Sequence, residues 1–255
     1  MSMSKNSKRK KISNILLIIA ALLLVAGIGF LVSDLIEKNK RQEKIDEGAA
    51  AIESVIQAQE TNAEEDETED EPEMTMIVSN EDLQVDGEEY DYFGTEEEIR
   101  AQREAVQEEL DSYDTGYTVL QGIGILEIPS IDLRLPIWEE TNSVSLRYGA
   151  GHYVASVRPG QVGNCSILGH HMRAYGSIFN RLEEVEPGDE VIITNLRGYT
   201  FTYIIDETLV IDPDELGDYI RGGITDERQV TLVTCTYTSQ GKLRFLAIGH
   251  IQDEE

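Results

Sequence analysis

Two cysteines and four histidines are the residues of this 255-residue chain best suited to nucleophilic and proton-transfer chemistry. Cys235 closes the apolar run Val230-Thr231-Leu232-Val233-Thr234 and is followed by Thr236-Tyr237-Thr238-Ser239-Gln240-Gly241, a turn-rich stretch. A thiol at the end of a strand is both supported and reachable. Free cysteines are more often inert, buried side chains, so the case for chemistry rests on His170 and Arg244. Cysteine attacks as thiolate, and an imidazole can draw off its proton or protonate a leaving amine. The tetrahedral intermediate of acyl transfer then needs a positive or hydrogen-bonding partner. Arg244 lies nine residues after Cys235, on the run Leu243–Ile251 that would return beside the cysteine strand as a hairpin. By spacing alone, a structural ion pair explains such an arginine equally well.

Adjacent strand residues point to opposite faces, so only one of His170 and His171 can face Cys235. His152 reads as a residue that shapes the fold, and His250 as an exposed strand-end residue. A zinc site built from Cys165, Cys235, His170 and His171 lacks the paired spacing that such sites show. Asp212, Asp214, Glu215 and Asp218 alone would make a poor calcium site. The expectation is therefore of no metal and no cofactor.

The elements that must hold these residues are short strands. From Tyr117 onward the chain runs through GIGILEIP, LRLPIW, NCSILGH, EVIIT, YTFTYII, QVTLVTC and LRFLAIGHI, separated by Gly, Pro, Asn and Asp. One short helical candidate, Asp212 to Ile220, opens on Asp212-Pro213. Many strands with so little helix predict an all-β, closed or nearly closed barrel over residues 117–255, which is enough chain for one core.

Three separated elements, GNCSILGHH with Gly169-His170, TLVTC ending in Cys235, and Arg244 in LRFLAIGH, resemble the sortases, whose TLxTC signature is matched in full. Supporting pieces are Gly149-Ala150-Gly151-His152, the turn Pro187-Gly188-Asp189 and LEIPSIDLRLPI, so the likeness covers nearly all of 117–255. It implies an eight-stranded sortase-type β-barrel with short helices. It also implies catalytic roles: Cys235 as nucleophile, His170, directly after the glycine, as acid and base, and Arg244 as the group steadying the oxyanion or substrate backbone. Thr234 is carried over as a substrate-binding residue. In sortase topology the strands of His170 and Cys235 run side by side and parallel. That topology sets Cys165 about five residues back, roughly 16 Å away, too far for a disulfide.

The implied reaction is cleavage of an LPxTG-like sorting signal in exported proteins through a thioacyl-enzyme. The acyl group passes to an amine acceptor such as a peptidoglycan precursor or a pilin lysine. The sequence shows no C-terminal membrane span of the kind usual in pilin polymerases, and the short segment between Ile205 and Val230 leaves no room for a long inserted helix, so anchoring to peptidoglycan is expected over pilus assembly. The rivals are a hydrolytic cysteine peptidase on the cell surface and a non-catalytic anchored binding domain. An L,D-transpeptidase would show an S-x-G-C pattern, which TLVTC lacks.

Ile15 to Val32 is an uninterrupted uncharged run, long enough to cross a bilayer as a helix. Lys5, Lys8, Arg9, Lys10 and Lys11 precede it and predict a cytoplasmic N-terminus with the remainder outside, although Lys38, Lys40, Arg41 and Lys44 flank the other side. No clear A-x-A site follows, which favours an uncleaved anchor over a signal peptide. The expected organisation is a cytoplasmic basic segment at 1–11, a membrane anchor at 12–33, an acidic extracellular linker at 34–116 and a catalytic domain at 117–255. Thr95 and Glu98 form a capping box ahead of Ile99, Val106 and Leu110, which predicts a helix over 95–112 within the linker. The linker reads as a solvated spacer, with a lid over the groove as its alternative. Residues 46–115 hold 26 Asp and Glu against Arg100 and Arg103 alone, so the formal net charge of -28 belongs mostly to this stretch. Such a balance disfavours nucleic acid as a partner.

Overall fold

In the computed structural model, residues 3–62, 72–79, 100, 116–171, 178–238 and 241–252 are described. The chain divides into two compact units, Met1–Glu43 and Lys44–Glu255. The expected helix at 95–112 lies, but for Arg100, outside the described residues, as do residues 63–71 of the acidic run at 60–73.

In the first unit, helix α1 (Met3–Asn62) begins. Its described large apolar side chains from Ile19 to Ile36, Leu23 and Leu31 among them, are exposed. The helix is long and apolar enough to cross a membrane. In water that surface would be strongly unfavourable, and in hydrocarbon it is matched.

The second unit is built on nine strands: β1 (Thr75–Ser79), β2 (Tyr117–Ile128), β3 (Leu133–Glu139), β4 (Ala150–His152), β5 (Gly163–Leu168), β6 (Glu190–Asn195), β7 (Thr200–Ile211), β8 (Arg228–Thr238) and β9 (Gly241–His250). Eight of them follow one another in the order β2-β3-β4-β5-β8-β9-β7-β6, and β6 pairs back onto β2, which closes the barrel. Closure leaves no free edge within the ring. In ring order β8 stands opposite β2. β3–β4 and β5–β8 are the parallel pairs, and the remaining neighbours are antiparallel. The interior is filled by β-branched and aliphatic side chains such as Leu126, Ile137, Ile167, Ile193 and Leu232, all fully buried. The expected helix after Asp212 is a 3-10 helix, Pro213–Asp218, started by proline at its first position.

Two pieces of the stretch assigned from sequence to the linker are folded onto the barrel. Ile45, Ala49, Ile52 and Ile56 form one buried stripe on α1, spaced by four, three and four residues, which is one face of a helix. β1 adds an antiparallel strand to the first half of β2, with Met74, Met76 and Val78 turned inward and Ile77 outward. Ala49, Ile52, Ile56, Met74, Met76 and Val78 together cover Leu120, Ile125, Trp138, Val144 and Tyr148, while Ile45 joins the main barrel core. The helix comes close at Gly48, where a Cβ would stand 2.7 Å from the Trp138 ring. Glu53 of the helix is paired with Arg134 of β3.

Candidate active site

β8 alternates between two surfaces. Val230 and Leu232 enter the barrel core, while Val233 joins a second apolar cluster on the outer face. Cys235, two residues beyond Val233, is on that outer face and partly exposed. Both cysteines are free. Cys165 is 1% exposed in the interior and level with Val230, so parallel pairing of β5 and β8 separates the two thiols along the strands.

Arg244 is the direct cross-strand partner of Cys235 in the β8–β9 ladder, and Ile211 is the partner of Arg244 on the far side in β7. Opposed residues in a ladder present side chains to the same face. Among the described residues the Arg244 guanidinium makes one hydrogen bond, to the Leu243 carbonyl at 3.3 Å, and no ion pair. Its positive charge is therefore not consumed by a structural carboxylate.

On the other side, β5 pairs with β8 in parallel up to Leu168 opposite Val233, and the Gly169 amide donates to the Val233 carbonyl at 3.0 Å. Continuing this register by two residues brings His170 level with Cys235. The His170 carbonyl accepts the Phe179 amide at 3.1 Å, which holds the chain as it leaves the sheet. Gly169 is required there, since a Cβ would lie 2.5 Å from the Phe179 ring. His171 turns elsewhere, bridging to Ile178 and standing 3.8 Å from Glu183. His170, Cys235 and Arg244 thus belong to three adjacent segments at one end of the outer face.

Thr234 is 1% exposed and turned toward the interior; its hydroxyl donates to the Gly169 carbonyl at 2.9 Å. That contact ties the strand of Cys235 to the segment of His170. His152 is also interior, with Nδ1 3.0 Å from Glu139 Oε1 and Nε2 3.0 Å from the Val157 carbonyl. Burial pushes the Glu139 carboxyl pKa up, but the His152 hydrogen bond and the Arg158 charge outweigh it and hold it below its ordinary value. His250 ends β9 in contact with Asp206 and Gln229 and is only 27% exposed, so it is a partnered residue rather than a free strand end. A cavity of about 720 Å³, lined by Gln121, Arg158, Asn195 and Arg197 among others, lies apart from the Cys235 row. Among the described residues no group of three or more His, Cys, Asp and Glu is placed to hold a metal ion.

Chemically, the row combines a reachable thiol, an imidazole and an uncommitted guanidinium, the set that acyl transfer through a thioester uses. Residues 126–252 match the family model for the sortase domain. The chain belongs to the sortase family. It is 31% identical over 136 residues to sortase A of Listeria monocytogenes, covering 52% of this chain and 58% of that protein. With sortase D of Bacillus subtilis it shares 33% identity over 132 residues, covering 51% of this chain and 63% of that one. The matched part spans about three fifths of these relatives. A solved sortase D5 transpeptidase of Clostridium perfringens is 28% identical, covers 59% of this chain and 89% of its own, and superposes with a TM-score of 0.46. Sortases are cysteine transpeptidases associated with the membrane at the cell surface.

Proposed function

We propose that this sortase cleaves an LPxTG-like sorting signal in exported proteins and joins the new carboxyl end to an amine. Cys235 attacks the scissile carbonyl, and His170 protonates the departing amine. The incoming amine then loses its proton to His170 as it displaces the thiolate. Arg244 stabilises the oxyanion of each tetrahedral intermediate or fixes the substrate backbone beside it. The acceptor is a peptidoglycan precursor or a pilin lysine. The N-terminal helix anchors the enzyme with its N-terminus in the cytoplasm and its barrel outside.

One observation carries this reading: Arg244 stands directly across the ladder from Cys235 and, among the described residues, pairs with no carboxylate. Incubation with LPxTG-like peptides, with and without an added amine such as triglycine or hydroxylamine, tests the reading. Amine-dependent ligation is expected. Hydrolysis indifferent to amine would make the enzyme a peptidase, and no turnover with Cys235 fully reactive would make it a binding domain.

A further inference from the structure

The outer face of β5, β8 and β9 changes character along its length. The Cys235 row is at one end, and Leu168, Val233, Leu246 and Ile248 follow as an apolar zone. At the far end stand Asn164, Ser166, Gln229 and Thr231, all 8% exposed or less. The catalytic chemistry does not use these polar residues, and burying them is costly unless each is paired.

They are paired in a directed way. Gln229 Nε2 donates to Asn164 Oδ1 at 3.0 Å and to Thr231 Oγ1 at 3.1 Å, and Thr231 Oγ1 donates to Asn164 Oδ1 at 2.8 Å. With its oxygen so occupied, Asn164 directs Nδ2 to the Tyr219 carbonyl at 2.7 Å and to Ser166 Oγ at 3.0 Å. Ser166 Oγ donates in turn to the Ile220 carbonyl at 2.9 Å. The network ends on two successive carbonyls just past the 3-10 helix Pro213–Asp218, where a helix end leaves acceptors unsatisfied. The Gly222 amide adds a bond to the Ala155 carbonyl at 3.1 Å.

The held segment is the β7–β8 connection, and it lays Leu216, Tyr219 and Ile220 against Val233, Leu246 and Leu168, next to the Cys235 row. We propose that Asn164 and Ser166 are positioning residues that clamp this connection as a preformed wall of the peptide groove. This inference rests on the transpeptidase reading above. Ser166 and Asn164 lie four and six residues before His170, roughly 13 and 20 Å back along the strand, so neither touches the reacting atoms. A wall ordered before substrate arrives spares the peptide the entropy of ordering it, and the benefit appears in KM.

The test uses the full chain in detergent micelles as wild type, Ser166→Ala and Ile193→Val. Ile193 is buried in the barrel interior on β6 and belongs neither to the network nor to the β7–β8 connection, so its variant reports on general loss of stability. In Ser166→Ala, amide exchange in residues 213–224 is expected to quicken about tenfold. KM for a sorting peptide should rise about five- to tenfold, with kcat within about twofold of wild type. Ile193→Val should lower the melting temperature without either change. Exchange unchanged in Ser166→Ala, or faster equally across β5 and β8, overturns the clamp; faster exchange with unchanged KM overturns its role in positioning. If wild type itself turns over no peptide, the transpeptidase reading has failed, and the exchange comparison still decides whether the clamp exists.

Discussion

Cys165 and Cys235 are the same functional group in opposite settings. Burial pushes the Cys165 thiol up to about 12, so it stays protonated at neutral and mildly alkaline pH and is sealed from reagents. Native protein at pH 8 should therefore take up one equivalent of iodoacetamide, on Cys235, and Cys235→Ala should take up none. Labelling of Cys165 in folded protein would contradict the interior placement. Gly169→Ala drives a methyl into the Phe179 ring and displaces His170, so kcat should fall at least about tenfold while Cys235 remains alkylable. The glycine, the histidine and the cysteine were all legible as a motif. The direction of Thr234 was not, because a one-residue change of register exchanges the groove face for the core face and spacing does not report register. For Glu139 the direction of the pKa gives the sign of a pH effect. A carboxyl held below its ordinary 4.5 contributes stability above that value and loses it as pH falls through the lowered one. Glu139→Gln should lower the melting temperature at pH 7 and flatten its decline on acidification below about pH 4.5; an unchanged acid slope would show that His152 and Arg158 do not hold the carboxylate.

At the scale of elements, the helix stripe Ile45, Ala49, Ile52 and Ile56 and the strand β1 are parts of the folded unit that a reading by composition passes over. They sit beside the acidic run, and charge dominated that part of the chain. The periodicity was present in the residues, but a five-residue strand and a four-residue stripe are weak signals until Trp138 and Tyr148 supply the surface they cover. The strands of the barrel were easier to read, since each alternates and is bounded by turn residues. Removing residues 1–116 should strip this cover. Each of the larger apolar side chains involved is worth roughly 1.5–3 kcal/mol of burial. A chain of 117–255 should melt at least about 10 °C below one of 44–255 and bind an apolar dye. Equal melting temperatures would mean that the helix and β1 contribute nothing to the unit.

The whole molecule joins an apolar helix, an acidic stretch and a barrel that the proposed topology sets outside the cytoplasm. The full chain should sediment with membranes and resist carbonate extraction, whereas residues 44–255 should be soluble. Recovery of the full chain in the soluble fraction would show that the helix is not a membrane anchor. The bond on which the proposed activity depends is the thioester at Cys235. Wild type mixed with a sorting peptide should yield, by intact mass spectrometry and peptide mapping, a thioacyl adduct on Cys235 that an added amine discharges into a ligated product. His170→Ala and Arg244→Gln should slow that adduct's formation at least about a hundredfold. An adduct on Cys165, or ligation that survives Cys235→Ala, would contradict that dependence.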